Sequence, residues 1–162
     1  MSNLGLERAI RSQGGEVVRV GVGDRYVVER MRQDGLTLGG EQSGHVILRD
    51  HTTTGDGLMT GLAVFGVMVE NETPLSELAG QMQMFPQAIE NILVTQRTPL
   101  EQLEGTQKAI DEIESQLGDE GRVLVRYSGT QMLARVMVEG PTDAVVNGAV
   151  AQISEAMRKD VG

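Results

Sequence analysis

The chain has 162 residues, a net charge of −9 and no cysteine. Thiol catalysis and disulfides are therefore excluded, and nucleic acid is disfavoured as a partner because its binders usually carry a basic field. With 40% hydrophobic, 23% charged and only 2% aromatic residues, the composition is globular and the core must rest on Val, Ile, Leu, Ala and nine Met.

The length allows one domain or two small ones. The lack of cysteine fits a cytoplasmic location. The N-terminus shows no basic region followed by an apolar one, so no signal peptide is expected. The most apolar stretch, Leu58 to Val69, makes a helix only about 18 Å long. That is too short for a bilayer core of about 30 Å, so no membrane partner is expected.

Ser2-Asn3 can cap a helix over Leu4 to Ser12, which Gly14-Gly15 stops. Glu16 to Val22, with its Val17-Val18-Arg19-Val20 run, predicts a strand. Asp24 is placed to cap a helix over Arg25 to Gln33. Short strands are expected at Leu36 to Leu38 and Val46 to Leu48, on either side of Gly39 to His45. This alternation of helix and strand marks an α/β region. Leu58 to Glu70 predicts a helix apolar nearly all round, hence buried between layers. A short helix follows over Leu75 to Gln81.

Gln81 to Pro86 marks a boundary, giving expected domains of 1–82 and 83–162. Beyond it, Ala88 to Val94 predicts a strand and Leu103 to Leu117 a helix with Ile110, Ile113 and Leu117 on one stripe. Two strands follow, Val123 onward and Leu133 to Glu139. A helix over Asp143 to Arg158 carries Val146, Val150, Ile153 and Met157 at helical spacing. The second half is thus an α+β domain of order β-α-β-β-α with its helices on one face. His51 reads as solvated, Lys159 and Asp160 as a solvated helix end, and most Met as core filler.

Two loops carry chemistry. Arg126-Tyr127-Ser128-Gly129-Thr130 brings one arginine to a turn with two hydroxyls, a glycine and several backbone N–H groups, and Arg135 follows on the next strand. Arginine offers a planar donor fork for phosphate, Ser and Thr add donors, and Gly lets an anion approach the backbone. The same residues also make an ordinary hairpin connection. Gly40-Glu41-Gln42-Ser43-Gly44-His45 places a carboxylate, an amide, a hydroxyl and an imidazole between glycines, a set suited to a vicinal diol. It equally makes a glycine-rich turn with solvated polar residues.

Taken together, the two loops resemble the α-D-phosphohexomutase superfamily, and within it the bacterial phosphoglucosamine mutases. Four further segments agree: Met1 to Leu6, Val22-Gly23-Asp24-Arg25-Tyr26-Val27, Thr53-Thr54-Gly55-Asp56-Gly57 and Arg135-Val136-Met137-Val138-Glu139. The likeness spans essentially the whole chain but corresponds to only the last two of the family's four domains. It implies an intramolecular phosphotransferase that interconverts glucosamine 6-phosphate and glucosamine 1-phosphate through an enzyme phosphoserine. It implies that Glu41 and Ser43 hold sugar hydroxyls, with His45 supporting them. Gly23, Asp24 and Arg25 match a substrate-facing loop, and Arg126, Ser128, Gly129, Thr130 and Arg135 match the grip on the non-reacting phosphate.

The phosphoserine loop and the Asp-rich magnesium loop have no counterpart here, so no catalytic nucleophile and no metal site are expected in this chain. Mg²⁺ is implied for the whole enzyme only. Thr54-Gly55-Asp56-Gly57 offers a single carboxylate and suits a helix cap better than a Mg²⁺ site. The phosphate loop departs from the family at Gln131-Met132, commonly Glu-Pro, and at Tyr127, commonly Pro or Phe, which questions its rigidity. The first domain would lack its opening strand, exposing a sheet edge and apolar surface and favouring self-association. Alternative readings are a mutase for glucose or mannose phosphate, or a non-catalytic phosphosugar-binding module. The partners implied are a phosphosugar and the missing N-terminal half of the enzyme.

Overall fold

A computed structural model describes residues 2–161. The chain divides into two compact units, Met1–Met84 and Phe85–Gly162.

In the first unit, α1 spans Leu4–Ser12 and is capped by Asn3, whose side chain accepts from Gly5 N–H at 2.9 Å. Gly5 has a steric reason. A Cβ there would lie 2.0 Å from the Gln83 carbonyl oxygen, so only glycine lets that backbone cross the first turn. Helix α2 spans Asp24–Asp34 and ends at Gly35 in the left-handed conformation, φ 71°. Strands β1 (Leu38–Gly40) and β2 (Val46–Leu48) form an antiparallel hairpin that pairs Leu38 with Leu48 and Gly40 with Val46. Helix α2 lies directly on it: a Cβ on Gly39 would come within 2.8 Å of Val27 and closer still to Met31. Val27, Met31 and Ile47 are the buried centre, with Val20, Val28 and Leu36 packed around them. Helices α3 (Gly57–Glu70) and α4 (Leu75–Ala79) follow.

Four expectations are corrected here. Residues 15–21 form no strand. β-branched residues favour extended backbone, but a strand also needs a neighbour to complete its ladder, and no described segment pairs with this one. Side chains hold it instead: Arg19 bridges to Glu7 at 2.7 Å and donates to the Ser2 carbonyl. Asp24 is not the cap of α2. Gly23 takes that position, and Asp24 opens the helix with its carboxylate on the Arg25 N–H. Helix α3 is not buried between layers. None of its residues is buried, and Leu58, Phe65 and Val69 are 77%, 64% and 77% exposed. Its composition suits burial, but its contact with β2 leaves most of its surface open. The expected strand at Leu36 to Leu38 is displaced to Leu38–Gly40.

In the second unit, β3 (Gln87–Leu93), β4 (Arg122–Tyr127) and β5 (Leu133–Glu139) form an antiparallel sheet in the order β3-β5-β4. Helices α5 (Glu104–Leu117) and α6 (Asp143–Val161) pack on one face. Alternate residues of β5 (Ala134, Val136 and Val138) point into a core that also takes Leu103, Ala109, Ile113 and Leu117 from the α5 side. From α6 come Val146, Val150, Ile153 and Met157, the stripe expected from the sequence. The opposite face carries a polar row in register, Gln87–Glu139–Arg122. Glu139 is fully buried there, ion-paired with Arg122 and accepting from Gln87 at 3.1 Å.

Asp160 is a further correction. It is not a solvated helix end but caps α5 from across the unit: its Oδ2 accepts from both the N–H and the hydroxyl of Thr106, each at 2.7 Å. The residue preceding α5 is Leu103, which has no side-chain acceptor, so the donors of the first turn find their partner on α6. Met packing is mixed: Met31, Met137 and Met157 are buried, while Met84 and Met132 are exposed.

Candidate functional site

The two loops lie in different units and are built separately. In the first unit the loop at residues 40–45 is the turn of the β1–β2 hairpin. Glu41 N–H donates to the His45 carbonyl at 2.9 Å, and Gly44 N–H donates to the Glu41 carbonyl at 3.1 Å. Gly44 sits at φ 92°, which favours glycine. Ser43 Oγ and His45 Nδ1 share a hydrogen bond of 2.8 Å, so the imidazole holds the hydroxyl in place. The ring rests on Gly55, where a Cβ would stand 3.2–3.3 Å from the histidine.

Glu41 joins this loop to a second one. Its Oε1 accepts from Gly23 N–H at 2.8 Å, at the position that opens α2. Gly23 has no side chain to cap that helix, so the Glu41 carboxylate stands at its N-terminal end, where negative charge is favoured. The structure thus brings Gly23 and Glu41 together, with Asp24 next in the chain. Ser43 and His45 form a neighbouring exposed pair. Arg25 points away into an ion pair with Glu29 at 3.0 Å, and that hydrogen bond holds its guanidinium above the ordinary value. Asp56 caps α3, accepting from Met59 N–H at 2.9 Å.

In the second unit the β4–β5 turn carries the other loop. Ser128 is buried, its N–H donating to the Leu133 carbonyl at 2.8 Å and its Oγ accepting from Gln131 N–H at 3.3 Å. The serine therefore closes the turn on itself and lifts Gly129 and Thr130 into the open. Their N–H groups donate to no other described residue. A Cβ at Gly129 would meet no heavy atom within 4 Å, and its φ is not in the left-handed region. Neither packing nor strain in the chain itself demands glycine there.

Arg126 and Arg135 stand directly opposite each other in the β4–β5 register, on the sheet face away from the helices. Like charges so placed repel, and an anion between them would relieve the repulsion. Arg135 Nε is buried with no hydrogen-bond acceptor. Arg97, which no motif marks, and Tyr127, from within the motif, complete the loop. Arg97 Nη2 reaches the carbonyls of Gly129 and Gln131 at 3.4 and 3.3 Å. The Tyr127 hydroxyl donates to the Thr98 carbonyl at 2.6 Å, and burial raises its pKa above the usual phenol value. Arg97 lies outside both motifs, and no local pattern marks it.

Among the described residues no three His, Cys, Asp or Glu side chains gather as a metal site, and no helix is long and apolar enough to cross a membrane.

Comparison with known proteins adds to this geometry. Residues 1–85 match the family model described as phosphoglucomutase/phosphomannomutase, alpha/beta/alpha domain III. Residues 67–156 match the model of the same family's C-terminal domain. A phosphoglucosamine mutase from Sorangium cellulosum is 52% identical over 99% of this chain, which is 34% of that protein's length. The chain spans about a third of the length of the curated relatives it matches. A solved phosphoglucomutase/phosphomannomutase family protein from Burkholderia thailandensis shares the fold. Its TM-score is 0.67 at 22% identity, over 96% of this chain and 35% of that one. N-acetylphosphoglucosamine mutase from Aspergillus fumigatus, solved with GlcNAc-6P and magnesium, shares it at a TM-score of 0.58 and 20% identity, over 68% of this chain and 22% of that one.

Proposed function

The chain belongs to the phosphoglucomutase/phosphomannomutase family, and on that premise we propose that it forms the third and fourth domains of a phosphoglucosamine mutase. The whole enzyme would interconvert glucosamine 6-phosphate and glucosamine 1-phosphate in the cytoplasm. The observation that carries the reading is the opposed pair Arg126 and Arg135 beside a loop with two outward N–H groups and an unobstructed glycine.

In this reading, Arg126, Arg135, Thr130 and the N–H groups of Gly129 and Thr130 hold the phosphate that is not reacting. Ser128 shapes that cradle. The first unit carries the loop proposed for sugar hydroxyls. There Glu41 keeps one oxygen on Gly23 and offers the second to sugar hydroxyls, while His45 orients Ser43 toward them. Asp24 and Arg25 border the same loop. A mutase must accept its substrate in two opposite orientations. A cradle that reads charge and shape suits that task, because positioning is most of what a protein contributes to phosphoryl transfer.

The phosphoserine that exchanges the phosphoryl group is proposed to lie in the part of the relatives that this chain does not match. Magnesium is proposed for the whole enzyme. The described residues do not fit a site for it: Asp56 is a lone carboxylate already used as a cap. The chain alone is expected to be inactive.

Titration of the labelled chain with glucosamine 6-phosphate, followed by backbone amide resonances, tests the reading. Saturable shifts are expected at residues 126–131 and at 40–45. Arg126→Ala is expected to weaken binding by about 1.5–3 kcal/mol, the scale for losing a charged hydrogen-bond partner. An unchanged affinity would reject the loop as the phosphate site. Weaker competition by glucose 6-phosphate and mannose 6-phosphate is expected, and equal competition would point to a different sugar.

A further inference from the structure

The segment after β3, residues 94–98, runs along the phosphate loop and is tied to it four times. Val94 N–H donates to the Met132 carbonyl at 3.1 Å, carrying the β3–β5 pairing one step past Leu93 and Leu133. Arg97 spans the carbonyls of Gly129 and Gln131. The Tyr127 hydroxyl reaches the Thr98 carbonyl. Arg97 is exposed and has no acidic partner among the described residues, so its role is not that of an ion pair.

We infer that residues 94–98 are a strap that aims the phosphate loop, with Arg97 as its positioning residue; this rests on the phosphate-loop reading above. The physical reason is the trans peptide. Its C=O and the next residue's N–H point in opposite directions. Drawing the Gly129 carbonyl onto Arg97 therefore turns the Thr130 N–H away from the strap, to the side left open. Drawing the Gln131 carbonyl the same way holds the far end of the turn. Arg97 thus prepays the ordering of a loop that would otherwise be ordered only when the anion binds. Tyr127, Gln131 and Met132 lie at the attachment points of this strap. The rigidity of the loop comes here from Arg97 and from the tyrosine hydroxyl.

The test compares Arg97→Ala, Arg97→Lys and Tyr127→Phe with the unaltered chain, each titrated with glucosamine 6-phosphate at low and high salt. Amide exchange at residues 129–131 is measured without ligand. Arg97→Ala is expected to lower affinity about three- to tenfold, the scale of one or two hydrogen bonds. The loss should persist at high salt, with faster exchange at residues 129–131 and unchanged unfolding. Both bonds come from one nitrogen, Nη2, so Arg97→Lys, which keeps the charge on a shorter side chain, is expected to restore only part of the loss. Tyr127→Phe is expected to act in the same direction, more weakly.

Unchanged affinity and exchange in Arg97→Ala would overturn the inference. So would full recovery in Arg97→Lys with the difference abolished by salt, which would make Arg97 a long-range charge. If the unaltered chain binds no phosphosugar, the proposed function fails. The exchange data still decide whether the strap orders the loop.

Discussion

The two units spend similar numbers of residues on very different cores. Among the described residues, the second buries a continuous cluster of fourteen apolar residues between a sheet and two helices. The first buries three of its described residues in such a cluster, between one helix and a two-stranded hairpin, and leaves its most apolar helix facing outward. An amphipathic helix carries its own statement of which side is inside, whereas a helix apolar all round needs neighbours on every side. Helix α6 is of the first kind and completes its packing within its unit. Helix α3 is of the second kind, and its burial depends on something other than the described residues. The second unit is therefore expected to be the more stable, with slower amide exchange on β5 and α6 than anywhere in residues 2–84.

The largest effect expected within that comparison comes from the buried ion pair. Arg122→Met would leave Glu139 buried without its cation and is expected to cost about 3–5 kcal/mol, measured by chemical denaturation. A cost below 1 kcal/mol would mean that water reaches Glu139 and that the polar row is not closed. Next, Ile153→Ala removes a fully buried side chain between α6 and the sheet and is expected to cost about 2–5 kcal/mol. In the first unit, by contrast, Phe65→Gln on α3 is expected to change stability by no more than about 0.5 kcal/mol. It should also reduce self-association in sedimentation. A loss of several kcal/mol would show that α3 is covered in solution.

Smaller still, Asp160→Ala is expected to cost about 1 kcal/mol through loss of the cap on α5, with faster exchange confined to the first turn of that helix. A pH effect is smallest. The Ser154 hydroxyl and the Arg158 guanidinium hold the Glu90 carboxyl below its ordinary value of 4.5. A carboxyl whose folded pKa is depressed contributes stability above the unfolded value and loses it as pH falls through the folded one. Glu90→Gln is therefore expected to be less stable than the unaltered chain at neutral pH and to converge with it in acid. Parallel curves would remove Glu90 from the account.

What could be read from the residues follows the range of the interactions. Helix ends set by a cap were legible, as at Asn3 and Asp56, because the partner lies within a few residues. The stripe of α6 was legible because periodicity is local. The runs at 40–45 and 126–130 were legible as strand connections because their glycines and polar residues are contiguous. The links between distant residues were not: Glu41 on Gly23, Arg97 on Gly129, and Arg126 opposite Arg135 join positions that only register and packing bring together.

By itself, then, the amino-acid sequence determined the helices, the sheet of the second unit, the two polar loops and the family likeness. Only the tertiary structure decided the rest. Residues 15–21 lack a partner and stay out of any ladder, although their β-branched side chains suit a strand. Helix α3 faces solvent although its composition suits a core, and Asp160 caps a helix more than fifty residues away, at Thr106. The physical reason is the same in each case. Propensity and pattern act along the chain, while a ladder, a buried face and a cap from another element each require a second piece of chain in the right place.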